Sequence, residues 1–263
     1  MKNSGILWKL CMLLMAGIFL FSVWKLYGIF SEYKKGENEY ASLAEAVVLT
    51  AGESQERGEI PEPAEYPEAV SIDFQRLEEI NPDVIGWLRL DEELKIDYPV
   101  VLGDDNAKYL ATTFDGTKNP AGCLFADFQN SPEFDDRNTY IYGHNMKNGS
   151  MFGRLRKYKD EKFCREHPYF MISTKDGRCL TYEIFSVVIV EDVAENYVKS
   201  YENDREFLNY IERMKNQAIY FNEETISEES KIVTLSTCTN VTEEERLLVQ
   251  GVLKNAEMIY DSN

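Results

Sequence analysis

Between Leu10 and Trp24 the chain carries no charge, and the wider segment from Ile6 to Phe30 is apolar apart from Lys9, Ser22 and Lys25. A bilayer core needs about 20 apolar residues in helical form, and lysines near either end can lift their ammonium groups to the interface. Trp8, Trp24 and Tyr27 stand where interfacial rings belong. Residues 6–30 therefore read as one transmembrane helix. A cleaved leader is the rival reading, and no small-residue A-x-A pattern follows the apolar run to support it. Cys11 precedes most of the run, so it is not placed like a lipid-modified cysteine. Lys2 and Lys9 on one side face Lys25, Lys34 and Lys35 on the other, and the charge bias barely decides orientation. With residues 1–5 as a short cytoplasmic N-terminus, everything after residue 30 lies outside the cell.

An acidic stretch follows. Nine glutamates between Glu37 and Glu68 face a single Arg57, and Pro61, Pro63 and Pro67 break the second half. Residues 31–70 read as a stalk, helical around Tyr40 to Leu49 and extended around the prolines, with spacing as its task. The remainder, residues 71–263, is long enough for one core.

From Ser71 a short capped helix runs to Asn81, ended by Pro82. Beyond it β patterns dominate. Strands are expected over Val84–Leu90, Ile96–Leu102, Gly122–Asp127, Asn138–His144, Tyr169–Thr174, Cys179–Glu191, Ile232–Cys238 and Arg246–Leu253. Two helices interrupt them. One is short, Met151–Tyr158. The other, Asp204–Gln217, places Phe207, Leu208, Ile211 and Met214 on one face. Eight short strands with few helices predict a mainly β fold, a closed barrel with peripheral helices behind the N-terminal anchor.

The formal net charge of −18 excludes the basic footprint that nucleic-acid binding needs. The five cysteines form no C-x-x-C pair, so a zinc site is not expected, and an odd cysteine in an exported chain suggests a free thiol or an intermolecular bridge. Any Cys–His chemistry must choose between two histidines, His144 and His167.

Ile232-Val-Thr-Leu-Ser-Thr-Cys238 is a β-branched run that ends on a thiol, where a barrel would hold the backbone while the last side chain emerges at the rim. A lone cysteine is otherwise a small buried hydrophobe. Asn138-Thr-Tyr-Ile-Tyr-Gly-His144 is a second strand ending on a reactive side chain, against which stands a histidine satisfied by a local backbone bond. His167, in Arg-Glu-His-Pro, reads as a structural residue at a helix exit. Arg246 opens an apolar run eight residues after Cys238. A tight connection would return it to the same end, where a guanidinium could stabilise an oxyanion or hold a peptide carbonyl; the alternative is a solvated edge arginine.

The three segments together resemble one family. Thr234-Leu-Ser-Thr-Cys238 resembles the TLxTC signature of sortases. Tyr142-Gly-His-Asn145 resembles their strand-end histidine segment, and Arg246 before Leu247-Leu-Val-Gln-Gly-Val-Leu253 resembles their arginine strand. The likeness covers about residues 72–256, and the TLSTC form with the helices at Ser71 and Asp204 is most similar to class B. The resemblance implies an eight-stranded β-barrel enzyme, held outside a Gram-positive bacterial membrane by a single-pass anchor. It implies cleavage of a C-terminal sorting signal in secreted surface proteins, between Thr and Gly. The acyl group would pass through a thioacyl intermediate to a peptidoglycan precursor amine, or to a pilin lysine. Cys238 is then the nucleophile, His144 the proton carrier and Arg246 the oxyanion or signal holder. Ser236 and Thr237 line the substrate groove. No cofactor or metal is expected.

A free thiol titrates near ~8.5 and an imidazole near ~6.5, so roughly 1% of an uncoupled neutral pair is thiolate–imidazolium. That predicts a slow enzyme until partner binding completes the site. The alternatives are an exported cysteine peptidase or other cell-wall transpeptidase that mainly hydrolyses, and a catalytically silent surface-binding domain.

Overall fold

The computed structural model describes residues 4–49, 68–223, 226–239 and 244–259. It opens on one helix, α1 (Ser4–Val47), of 44 residues. At 1.5 Å per residue α1 is roughly 66 Å long, about twice a bilayer core. It is long and apolar enough to cross a membrane. The helix does not stop at Phe30, where the stalk was expected to start, and it is unbroken to Val47. Its second half, rich in Glu, Lys and Ala, favours helix. Tyr33, Gly36, Tyr40, Leu43 and Val47 recur at helical spacing on one face, and Tyr40, Leu43 and Val47 are buried in the main core. These residues are docked rather than spaced away from the domain. The Pro-containing half of the expected stalk, residues 50–67, lies outside the described residues.

A two-residue strand, β1 (Val48–Leu49), pairs with β2 (Ser71–Ile72). The short helix α2 (Phe74–Ile80) begins later than Ser71, because Asp73 is its cap and accepts from the Arg76 amide at 3.0 Å.

Eight strands form the barrel. They are β3 (Val84–Leu90), β4 (Asp97–Val101), β5 (Leu124–Ala126), β6 (Asn138–Tyr142), β7 (Tyr169–Thr174), β8 (Arg178–Glu191), β10 (Ile232–Cys238) and β11 (Glu245–Met258). Each falls on an expected strand, and β11 continues past Leu253. Their order is β11-β10-β6-β5-β4-β3-β7-β8, and pairing of β11 with β8 closes the ring. A further short strand, β9 (Ala218–Phe221), joins β8 from outside. Among the described residues, only the pairs β4–β5 and β6–β10 are parallel. Closure leaves the long β8–β11 pair no open edge on that side.

The main core is filled by side chains such as Trp87, Phe152, Phe170 and Leu235. Further helical segments lie between the strands. The segment Met151–Tyr158 is not a helix: Met151 has φ +50°, and a 3-10 turn covers Leu155–Lys159 before α3 (Glu161–Glu166). The longer helix α4 (Asp204–Gln217) buries Phe207, Tyr210, Ile211 and Met214. Leu208, expected on that face, is 39% exposed, because the 3- and 4-residue spacing runs 207–210–211–214.

Candidate active site

The sequence of β10 ends at Cys238, and the barrel decides what surrounds it. β10 runs antiparallel to β11 with Cys238 directly opposite Arg246. It runs parallel to β6 from Ile232 opposite Asn138 to Ser236 opposite Tyr142. The pairing ends there, and His144 and Cys238, each two residues further on, both line the cleft at this end of the barrel. Hydrogen bonds extend the seam past the last strand pair: the Gly143 amide donates to the Ser236 carbonyl at 3.2 Å, and Asn145 Nδ2 donates to the Cys238 carbonyl at 2.6 Å. Side chains from just past β6, the end of β10 and the start of β11 therefore share one barrel end. They open into a cleft of about 400 Å³.

Cys238 is partly exposed. The other cysteines of the folded domain are not: Cys123, Cys164 and Cys179 are buried, and burial pushes their thiols up to about 12, about 12 and about 11. At neutral pH those three are inert packing groups.

His144 places Nε2 at 2.6 Å from the Leu110 carbonyl. A carbonyl can only accept, so Nε2 carries a proton and Nδ1 is the nitrogen left to exchange one. Arg246, with its side chain 20% exposed, pairs with Asp192 and donates Nη1 to the Glu245 carbonyl at 3.1 Å. It is an oriented guanidinium at the cleft wall rather than a solvated edge residue.

Ser236 and Thr237 also border the cleft, yet they are 2% and 3% exposed and their hydroxyls are already engaged. Ser236 Oγ lies 3.2 Å from the Tyr197 hydroxyl, and Thr237 donates Oγ1–H to the Gly143 carbonyl at 2.6 Å. Thr237 thus ties the strand that ends on Cys238 to the residue before His144. His167 lies elsewhere. It closes α3, stacks on Phe163 at 4.2 Å and faces Asp91 and Glu93.

Several cleft residues left no local signal in the sequence. Asp127, its side chain 1% exposed, meets Lys199 at 3.0 Å. It also accepts from the Tyr142 hydroxyl at 2.9 Å, Asn106 Nδ2 at 3.0 Å and the Gln129 amide at 3.0 Å. Burial works to raise its carboxyl, and these donors outweigh it and hold the group below the usual carboxylate range. Burial pushes the Tyr197 hydroxyl up to about 12, so it stays a neutral donor beside the thiol. The one available cue was that Asp127, like Cys238 and His144, ends an expected strand. Among the described residues, no three His, Cys, Asp or Glu side chains converge as metal ligands would.

Residues 92–254 match the Sortase domain model. Sortase B of Listeria monocytogenes is 32% identical over 257 residues, which span 96% of this chain and 99% of that protein. The crystal structure of sortase B from B. anthracis superposes with a TM-score of 0.70 at 28% identity, covering 86% of this chain and 100% of that one. A Streptococcus pyogenes class B sortase involved in pilus biogenesis superposes with a TM-score of 0.62 at 31% identity, covering 69% and 97%. A closed eight-stranded barrel, with a partly exposed cysteine, a histidine and an arginine at one rim, and a family match over most of its length place this chain in the sortase family, within class B.

Proposed function

We propose that Cys238, His144 and Arg246 carry out the transpeptidation, with Cys238 as nucleophile. As a class B sortase the chain is a cysteine transpeptidase that anchors surface proteins to the cell wall. The observation that best supports these roles is the shared cleft: Cys238 faces Arg246 across β10–β11, and the parallel β6–β10 pair brings the chain at His144 to the same end. The Cys238 thiolate attacks the scissile carbonyl carbon, an S–C bond forms, and the carbonyl electrons move onto oxygen. Arg246 stabilises that oxyanion. The C–N bond then breaks, and the leaving amine takes the proton from His144 Nδ1. The thioacyl enzyme is opened by an incoming amine, whose proton returns to His144 as the Cys238 sulfur leaves. Ser236 and Thr237 form the groove floor and hold its walls in place.

The substrate is a secreted protein with a C-terminal sorting signal, cut between Thr and Gly, and the acceptor is a peptidoglycan precursor amine. A pilin lysine is the second reading, favoured by the likeness to a class B sortase involved in pilus biogenesis. The chain associates with the membrane through α1, as a single pass with the catalytic domain outside the cell.

The test incubates the full-length chain in detergent micelles with a library of fluorescent sorting-signal peptides, with and without an amine acceptor. Products are followed by mass spectrometry. Cleavage after Thr, an acyl adduct on Cys238 and amine-dependent ligation are expected. Cys238→Ala should lose turnover and keep its fold, and normal turnover in that variant would remove the assignment.

A further inference from the structure

The segment from Lys108 to Gly122 joins two features that the mechanism leaves unconnected. At one end, the Leu110 carbonyl holds His144 Nε2 at 2.6 Å. At the other, the second half of α1 grips the same segment. Tyr40, 4% exposed, donates its hydroxyl to the Gly122 carbonyl at 2.6 Å. Asn119 donates Nδ2 to the Glu32 carbonyl at 2.9 Å, and its Oδ1 accepts from the Ala121 amide at 2.9 Å. Gly36 lets the helix approach, since a Cβ there would lie 3.3 Å from Ala121 Cβ.

Within the segment the two ends touch through backbone. The Cys123 amide donates to the Tyr109 carbonyl at 3.0 Å. Gly122 has φ +59°, and a Cβ on it would meet the Tyr109 and Leu110 oxygens at 2.4 and 2.9 Å. Glycine is required by both the angle and the space. A displacement of Gly122 is therefore passed to the Leu110 carbonyl with no flexible side chain between them to absorb it.

We infer that the second half of α1 supports the active site, with Tyr40 as a positioning residue that holds the Leu110 carbonyl and, through it, the His144 ring. The inference rests on the reading of His144 as the proton carrier. Tyr40 acts at a distance: its hydroxyl pins Gly122, Gly122 backs Leu110, and the Leu110 carbonyl keeps the proton on Nε2 so that Nδ1 faces the reaction. The helix that anchors the enzyme in the membrane is then also part of the apparatus that fixes its tautomer.

The experiment uses the full-length chain in detergent micelles. Tyr40→Phe removes only the hydroxyl and keeps the ring packed edge-on against Tyr98 at 5.2 Å. With the library peptide that the wild type cleaves fastest, kcat should fall on the order of fivefold at unchanged KM, the size of one hydrogen bond's net effect. Imidazole ¹⁵N resonances, recorded at about pH 8, above the ordinary imidazole titration, should move from the Nε2–H tautomer towards a mixture. His167→Gln identifies the signals of the other histidine. Wild-type kcat with an unchanged His144 tautomer in Tyr40→Phe would overturn the inference, as would a lowered melting temperature with both readouts unchanged. Wild-type turnover in His144→Ala would instead sink the proton-carrier reading, while the resonances still decide whether Tyr40 sets the tautomer.

Discussion

Gly143 and Gly251 allow one perturbation to be made at two places with different consequences. A methyl group at Gly143 would lie 2.4 Å from Leu124 Cδ2 and 2.6 Å from Phe152 Cδ2. At Gly251 it would lie 2.3 Å from Phe170 Cε1 and 2.7 Å from Phe170 Cζ. Ordinary contact begins near 3.4 Å, so each alanine demands about 1 Å of extra separation (3.4 − 2.4 and 3.4 − 2.3). Leu124, Phe152 and Phe170 are at most 1% exposed, so the glycine backbone must yield much of that distance. Overpacking of this kind costs about 1–3 kcal/mol. At about 2–4 °C per kcal/mol for a domain of this size, both variants should melt ~2–12 °C lower. Their activities should diverge. Gly143 immediately precedes His144, and a shift of about 1 Å in a reacting group costs about 10²-fold in rate. Gly251 faces Val233 in the middle of the β10–β11 pair, five positions before Cys238. Turnover measured well below both melting transitions should fall about 10²-fold in Gly143→Ala and stay close to wild type in Gly251→Ala. Equal losses in the two variants, or full activity in Gly143→Ala, would refute the idea that the exit of β6 positions the histidine.

Three further outcomes follow from the site. Asp127→Asn should lower the melting temperature at pH 7, because it removes the carboxylate that pairs with Lys199. The folded-state value of Asp127 is lowered, so its stabilisation is full above the unfolded value near ~3.9 and is lost as pH falls through the folded value. The gap between wild type and variant should therefore begin to narrow as pH falls below about 4, and a gap unchanged down to pH 3 would contradict this account. Thr237→Val strips the donor from the Gly143 carbonyl and should cost about 1–3 kcal/mol in urea unfolding; an unshifted midpoint would mean the bond contributes nothing. Arg246→Lys should lower kcat by about 10²–10³-fold with little change in melting, since a single oriented donor is lost from the transition state and its Asp192 pair is partly exposed. A loss of less than tenfold would argue against the oxyanion role.

Much of the barrel was legible because its signals are local. Alternating and β-branched runs bounded by turn residues mark each of the eight strands, and burial of one face enforces what the pattern suggests. Cys238 and Arg246 were also readable as a pair, because two adjacent strands joined by a short connection must return to the same end. The helical spacing of Tyr33, Gly36, Tyr40, Leu43 and Val47 was present too, but the surrounding glutamates made the segment look solvated. Its apolar stripe has meaning only once the barrel offers a surface to receive it.

The sequence alone determined which backbone segments extend, where the chain can enter a bilayer and which reactive side chains end a strand, since steric preference and desolvation act residue by residue. The tertiary structure alone decided who meets whom. His144 shares a cleft with Cys238 through a parallel pairing of strands 94 residues apart, Asp127 finds Lys199 across 72 residues, and Tyr40 finds Gly122 across 82. Such contacts depend on barrel closure and on the register of strands far apart in the chain, so no window of sequence contains them.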